Sequence, residues 1–396
     1  MKSRIQELAQ TYFEEIKSIR EHLHMHPELS FEENETSAYL KQKLESWGIK
    51  VDREWVKTGF SVVIDSGKEG PTIALRADLD ALPIQEQNEV DYKSQNEGLM
   101  HACGHDVHAS CLMGAVRVLN DVKEHFSGKI IAFFQAGEEK LPGGASLMIK
   151  EGIMDHYKPQ AMIAQHVYPE MPVGKLGFRE GKYMASADEI YLTVKGKGGH
   201  AALPHTTVDP IVISASILQE LQKVSSRIAP PTLPTVLSFG KIQGLGATNV
   251  IPSEVKIEGT LRTMNEEWRA KFHEKIEEIC HSTAKMMGGE CEVDIRKGYP
   301  FLVNDERTTR VCKSAAEELH SAENIEDLDL RMTAEDFAYF SQHCPVCFYR
   351  LGVRNEAKGI VHSVHHPQFD IDENALKIGT ESMAFLALKL IDSINR

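Results

Sequence analysis

The sequence predicts an α/β fold: a central mixed sheet with flanking helices, plus an inserted ferredoxin-like α+β unit. Three observations carry this. Apolar runs of strand length alternate with helical stretches from the N-terminus to His166, the pattern of a sheet covered by helices. The text from Tyr183 to Lys297 then reads β-α-β-β-α-β, the ferredoxin-like order. After residue 298 the first pattern resumes. The expected boundaries are therefore 1–182 and 298–396 for the α/β domain, with 183–297 as the insertion.

Taken in order, residues 2–25 place Ile5, Leu8, Tyr12, Ile16, Ile19 and Leu23 on one helical stripe, and Pro27 stops it. His22, His24 and His26 crowd its end and read first as helix-end and turn residues. A second helix spans about Asn34 to Trp47, closed by Gly48. Strands follow at Lys50–Trp55, Ser61–Ile64 and Thr72–Arg76. The last runs into Asp78 and Asp80, which read equally as site residues or as an Asx turn ahead of Pro83. The strand Lys129–Gln135 runs into Glu138-Glu139, and Pro142-Gly143-Gly144 then starts a helix to Glu151. The strand Ala161–His166 is expected to end on its histidine. Three successive strands thus end in Asp78/Asp80, Glu138/Glu139 and His166, and open α/β sheets bind ligands outside the carboxyl ends of their strands.

Between these strands stands Met100-His-Ala-Cys103-Gly104-His105-Asp106-Val-His108. Imidazole, thiolate and carboxylate are all ligands for zinc, and imidazole also suits manganese, cobalt or nickel. Gly104 lets the chain turn so that Cys103 and His105 converge. From Val107 the text is apolar at helical spacing, so the cluster sits on a loop that opens a helix. Late in the chain come a helix at about Thr308–His320, another from Ala334 to Gln342, and the strand Cys347–Leu351. His365-His366-Pro367 precedes a final amphipathic helix, Glu373–Ile394. Cys103, His105, Glu139, His166 and His365 make five candidate ligands, enough for two divalent metals if one ligand bridges, as a thiolate can. Glu138, beside Glu139, is placed to take a proton from water as general base.

The insertion is expected to hold strands at Asp188–Lys197, Thr235–Gln243, Glu254–Thr263 and Cys291–Lys297, with helices at Asp209–Arg227 and Glu266–Met287. Two of its loops carry donors suited to a carbonyl or carboxylate. Gly196-Lys-Gly-Gly-His200 is one, and Gly244 to Pro252, with Asn249, is the other; Arg262 ends the following strand. His205 and Thr248 read as turn residues.

The formal net charge of −14 argues against nucleic acid or an anionic membrane as partner, since both select a basic patch. No run approaches a membrane span, and the first residues lack the apolar core of a signal peptide, so a cytoplasmic location is expected. Seven scattered cysteines fit reduced thiols. Cys344-Pro-Val-Cys347 reads as two thiols entering a strand, with a redox role as the alternative.

The chain resembles the amidohydrolase branch of the zinc-peptidase family that includes aminoacylases and acetylornithine deacetylase. Within it, the similarity is to N-acyl-L-amino-acid amidohydrolases, hippurate hydrolases and indole-acetyl-amino-acid hydrolases. The matching text is 20–30, Leu75 to Pro83, the cluster 100–108, Gly137-Glu-Glu, Gln165-His-Val, Gly196 to His200, Asn249-Val-Ile-Pro, Gly259-Thr-Leu-Arg, Ala334-Glu-Asp-Phe and His365 to Asp370. The resemblance implies Cys103 as bridging ligand, His105 and His166 on one metal, and Glu139 and His365 on the other. It implies Glu138 as base and His200, supplied across a homodimer through the inserted lid, as the group polarising the scissile carbonyl. Asn249 and Arg262 would hold the substrate carboxylate, and Asp78 and Asp80 would support the ligands from behind. The implied substrate is a small N-acyl amino acid or a dipeptide. Dipeptidase or carboxypeptidase action, and a catalytically silent metal-binding protein of the same fold, are the alternatives. The chain departs from the family's usual text at Ala136-Gly137, where a Pro-Ala pair is usual, and at Pro345-Val346-Cys347, where Pro-Gly is.

Overall fold

The computed structural model describes residues 1–395. The chain divides into two compact units. The first comprises Met1–Gly181, Val303–Asp329 and the chain from Asp336 onward; the second comprises Lys182–Leu302 and Leu330–Glu335.

The first unit is built on an eight-stranded mixed sheet. Its order is Val51–Trp55, Gly59–Asp65, Lys129–Gln135, Thr72–Asp78, Ala161–Pro172, Val346–Arg354, Leu176–Phe178 and Ile325–Asp327. The middle four strands are parallel to one another. They are apolar and almost wholly buried, as parallel strands with covered faces must be. Their carboxyl ends therefore open on one side, and that side carries Asp78, Glu138 and His166. The helices Lys2–Met25, His105–Asp121, Glu306–His320 and Asn374–Ile394 pack together. The stripe Ile5, Leu8, Ile16, Ile19 and Leu23 is buried as expected from its spacing.

Three expectations need correction. His166 does not end its strand, which continues to Pro172 beside Val346–Arg354, paired from Met162 to Tyr168 and again, after a register shift, at Pro172. The stretch expected as a helix from Ala334 to Gln342 is helical only from Asp336 to Gln342, and of the 3-10 kind. Its first side chain is held by four hydrogen bonds to the sheet and to the helix Gly144–Lys150, which fix its start before an α-helical ladder can form. The final helix, Asn374–Ile394, is a core helix rather than an amphipathic one: every residue from Gly379 to Ile391 except Lys389 is buried. Contacts with three other long helices and with the sheet cover it on several sides.

The second unit is a four-stranded antiparallel sheet in the order Thr235–Gln243, Glu254–Thr263, Asp188–Lys195 and Glu290–Lys297. With the helices Pro210–Lys223 and Glu266–Met286, this is the ferredoxin-like arrangement. The caps follow from sequence. Asp209 accepts from the Ile211 and Val212 amides ahead of Pro210, and Asn265 accepts from the Trp268 amide. Ile213, Ile217 and Leu221 from one helix and Phe272 and Ile276 from the other pack on Ile190, Leu192, Val194, Ile257 and Leu261. Thr235–Gln243 is an edge strand, largely exposed and bulged between Phe239 and Lys241. Among the described residues no helix is long and apolar enough to cross a membrane.

Candidate metal centre

Gly104 stands at the N-cap of the helix His105–Asp121 with φ +83°. A β-carbon there would lie 2.6 Å from the Val167 side chain. The missing side chain thus lets the loop lie against the strand Ala161–Pro172, which brings Cys103 and His105 to His166. The Cys103 Sγ and His166 Nε2 atoms are 3.5 Å apart. From the other side the loop after Val346–Arg354 presents His365, whose amide donates to the Ala102 carbonyl. His365 Nε2 lies 3.4 Å from Cys103 Sγ and 3.3 Å from a Glu139 carboxylate oxygen.

Of the groups of three potential ligand atoms that result, two share Cys103. One is Cys103, His105 and His166; the other is Cys103, Glu139 and His365; within each, the atoms lie within 4.8 Å of one another. Glu138 is buried beside them, and Asp336 donates its backbone N–H to a Glu138 carboxylate oxygen at 3.3 Å.

The residues present fit a divalent metal pair, and the polar atoms themselves are the test. His105 Nε2 is buried without a hydrogen-bond partner, a state that costs free energy unless a further group meets it. His166 uses its Nδ1–H on the Val167 carbonyl at 2.8 Å, which leaves Nε2 as a lone pair facing Cys103. Burial, reinforced by Arg350, holds this imidazole well below its ordinary range and hence neutral, as a ligand must be. Burial and then Glu139, Glu138 and Asp78 push the Cys103 thiol up, so a thiolate there calls for a neighbouring cation. Burial disfavours the His105 imidazolium, but Asp78, Asp80 and Glu139 outweigh it and carry its pKa to about 10. That cluster of carboxylates attracts positive charge.

The two aspartates lie behind the candidate ligands. Asp80 accepts from Ser30 Oγ and the Glu139 amide through one oxygen, and its other oxygen lies 3.1 Å from His105 Nδ1. Asp78 accepts from Arg76 and from His108 Nδ1, each at 2.6 Å, and Val167 donates its amide to His108 Nε2. The sequence reading left His108 unassigned, although it stands three residues beyond His105, on the same helical face. Asp336, Arg76 and Glu33 were likewise unassigned. Glu33 is fully buried and accepts from the Phe31 and Gly137 amides and from Thr58 Oγ1. Gly137, where the family's usual text differs, has φ +61°, and a β-carbon there would meet the Phe31 ring at 2.3 Å. His24, read first as a helix-end residue, is wholly buried between Asp106 and Glu86.

The remaining predicted residues lie in the second unit. His200 is exposed on the two-residue strand Gly199–His200, opposite Val250, and the Asn249 carbonyl accepts from the Ala201 amide. These two are neighbours. Arg262 stands on the sheet, opposite Val236, half-buried, and burial lowers its pKa.

Comparison with known proteins places this geometry. Residues 74–389 match the model of peptidase family M20/M25/M40. An N-acetyl-L-cysteine deacetylase of Bacillus subtilis is 38% identical over 384 residues, 97% of this chain and 90% of that protein. Thermostable carboxypeptidase 2 of Saccharolobus solfataricus is 38% identical over 94% of this chain and 95% of its own length. The crystal structure of the Bacillus subtilis YXEP protein, described as a dinuclear metal binding peptidase from the M20 family, superimposes with a TM-score of 0.82. That likeness covers 97% of this chain and 100% of the other at 31% identity. The chain therefore belongs to the M20/M25/M40 peptidases and is a metal-dependent hydrolase acting on amides.

Proposed function

We propose that the protein hydrolyses the amide bond of small N-acyl L-amino acids with Glu138 as general base. The observation that carries this is the pair of ligand triads sharing Cys103, with the buried Glu138 carboxylate alongside. In this reading Cys103, His105 and His166 would hold one divalent metal, and Cys103, Glu139 and His365 the other. Metals bound there would supply a nucleophile at neutral pH and positive charge against the developing oxyanion. Glu138 accepts the proton of the attacking water and returns it to the leaving amide nitrogen, so the products are a carboxylic acid and a free amino acid. Asp80 orients His105 and the turn at Glu139, and Asp78 orients His108 against the strand that carries His166. His200 polarises the scissile carbonyl, and Asn249 and Arg262 receive the substrate carboxylate.

The second unit is the lid, and a homodimer forms through it. Its exposed edge strand, with Ile242 56% and the following Leu245 82% exposed, supports pairing with a second copy. The location proposed is cytoplasmic, with neither nucleic acid nor membrane as partner. Strict dipeptidase or carboxypeptidase action is the second reading, favoured by the similarity to a carboxypeptidase.

Metal-stripped protein reloaded separately with zinc, manganese, cobalt or nickel, and assayed on N-acetyl, N-benzoyl and dipeptide substrates, tests both. Metal-dependent release of amino acid from N-acyl substrates is expected. Turnover confined to substrates with a free amine selects the second reading. Stoichiometric metal uptake without any turnover rejects both.

A further inference from the structure

We infer that Arg76 is a positioning residue that holds Glu138 and the imidazole side of the cluster in one register. The inference rests on the reading of Glu138 as the base.

Arg76 lies on the strand Thr72–Asp78, is 1% exposed, and its guanidinium donates to Gln135, Asp78 and Asp336 among its partners. Nε donates to Gln135 Oε1 at 2.9 Å, Nη1 to Asp78 at 2.6 Å and Nη2 to Asp336 at 2.8 Å. The placement follows from strand geometry. Arg76 and Asp78 are two apart and so share a face, and parallel pairing sets Gln135 beside Asp78. The planar fork of arginine matches three acceptors spread in this way; a lysine ammonium would keep the charge without the fork.

Each arm ends at the site. On one arm, Asp336 is fixed by Arg76, by the Gln135 side-chain amide on both oxygens and by the Ala145 amide. Its own backbone N–H then points at Glu138. The base is thereby referenced to two strands of the central sheet as well as to its own turn. On the other arm, Asp78 accepts a hydrogen bond from His108 Nδ1–H, and His108 Nε2 accepts from the amide of Val167, next to His166. One buried cation therefore ties the carboxylate that moves the proton to the strand that carries a ligand. Buried ion pairs are a poor way to gain stability, since packed apolar groups do as well or better. A fully satisfied network with both ends on the site is better explained by placement. Placement errors of about 1 Å cost rate rather than binding.

The test is a double-mutant cycle on the metal-reloaded full-length enzyme with the substrate ranked first in the panel above. Arg76→Lys is expected to keep wild-type metal stoichiometry by elemental analysis and a KM within about twofold, while kcat falls at least about tenfold. In a Glu138→Gln background the same change is expected to alter the residual rate by less than about twofold, because residues acting as one unit are not additive. An equal fold-loss in both backgrounds overturns the inference, as does unaltered kcat in Arg76→Lys. Wild-type turnover by Glu138→Gln alone is a separate result and strikes the base assignment itself. If Arg76→Lys does not fold, Asp336→Asn carries the same cycle, because it keeps the backbone N–H while loosening the carboxylate anchor. Failure of both variants to fold overturns the proposal in favour of a purely structural role.

Discussion

The two units hold their candidate functional residues in opposite ways. In the first, Cys103, His105 and Glu138 are buried, and each meets several other polar groups. In the second, His200 and Asn249 are exposed on loops whose hydrogen bonds are mostly those of ordinary turns. Burying unpaired polar atoms is costly, so the first cluster states its chemistry through its own geometry. An exposed histidine on a glycine-rich loop states nothing until a substrate meets it, and its assignment leans on family resemblance. Substitutions in the two units should therefore separate rate, binding and stability.

The largest effect is expected at Glu138. Glu138→Gln should lower kcat by about 10²–10⁴-fold while metal content stays at the wild-type level, read by steady-state kinetics beside elemental analysis. Wild-type-like activity would remove the base assignment. At the exposed pole, His200→Ala should cost about 10²–10³-fold in kcat, as loss of an oxyanion donor does, with the unfolding midpoint unchanged. A variant with undiminished kcat would show that loop to be a turn and no more. Arg262→Ala should raise KM by about 10–100-fold for substrates with a free carboxylate, and leave their amides unaffected. Equal losses for both substrate types would count against a carboxylate role.

The smallest effect is on stability, and it shows that the second unit does own a buried ionic centre. Asp188 is buried against Arg269 and His273 and accepts the Gly298 amide. Burial raises its pKa, but His273 and Arg269 outweigh this and bring it to about 2. A carboxylate depressed in the folded state stabilises above its unfolded pKa and loses that contribution as pH falls through the folded value. The shift corresponds to about 2 kcal/mol, present above about pH 4 and lost between about pH 4 and pH 2. Denaturant titrations of wild type and Asp188→Asn should differ most near neutrality and converge as pH falls through that window. A constant gap would mean that shape, not charge, sets the cost.

Much of the fold was legible because caps and periods agreed. The strands Lys129–Gln135, Thr235–Gln243 and Glu254–Thr263 have the boundaries their patterns imply. What misled was context. The residues after His166 alternate in burial, Met171 in and Glu170 out, so the strand's extension is invisible without its partner. The last helix reads as amphipathic, whereas neighbouring helices and the sheet cover it. In the site, the five residues that converge in the two groups sharing Cys103 were legible from type and spacing. Arg76, His108 and Asp336 were not. Their meaning lies in which distant group each one meets, and Asp336 is 260 residues from Arg76.

The shared cysteine has a kinetic consequence. Under the proposed assignment its two partner sets differ sharply in exposure. His105 and His166 are buried, on a helix and mid-strand, while His365 is 51% exposed on a loop with φ +64°. The two ions would then exchange with solvent on separate clocks. A chelator should draw out first the one on the loop side and leave a long-lived single-ion species, so metal release should be biphasic, with activity lost in the fast phase.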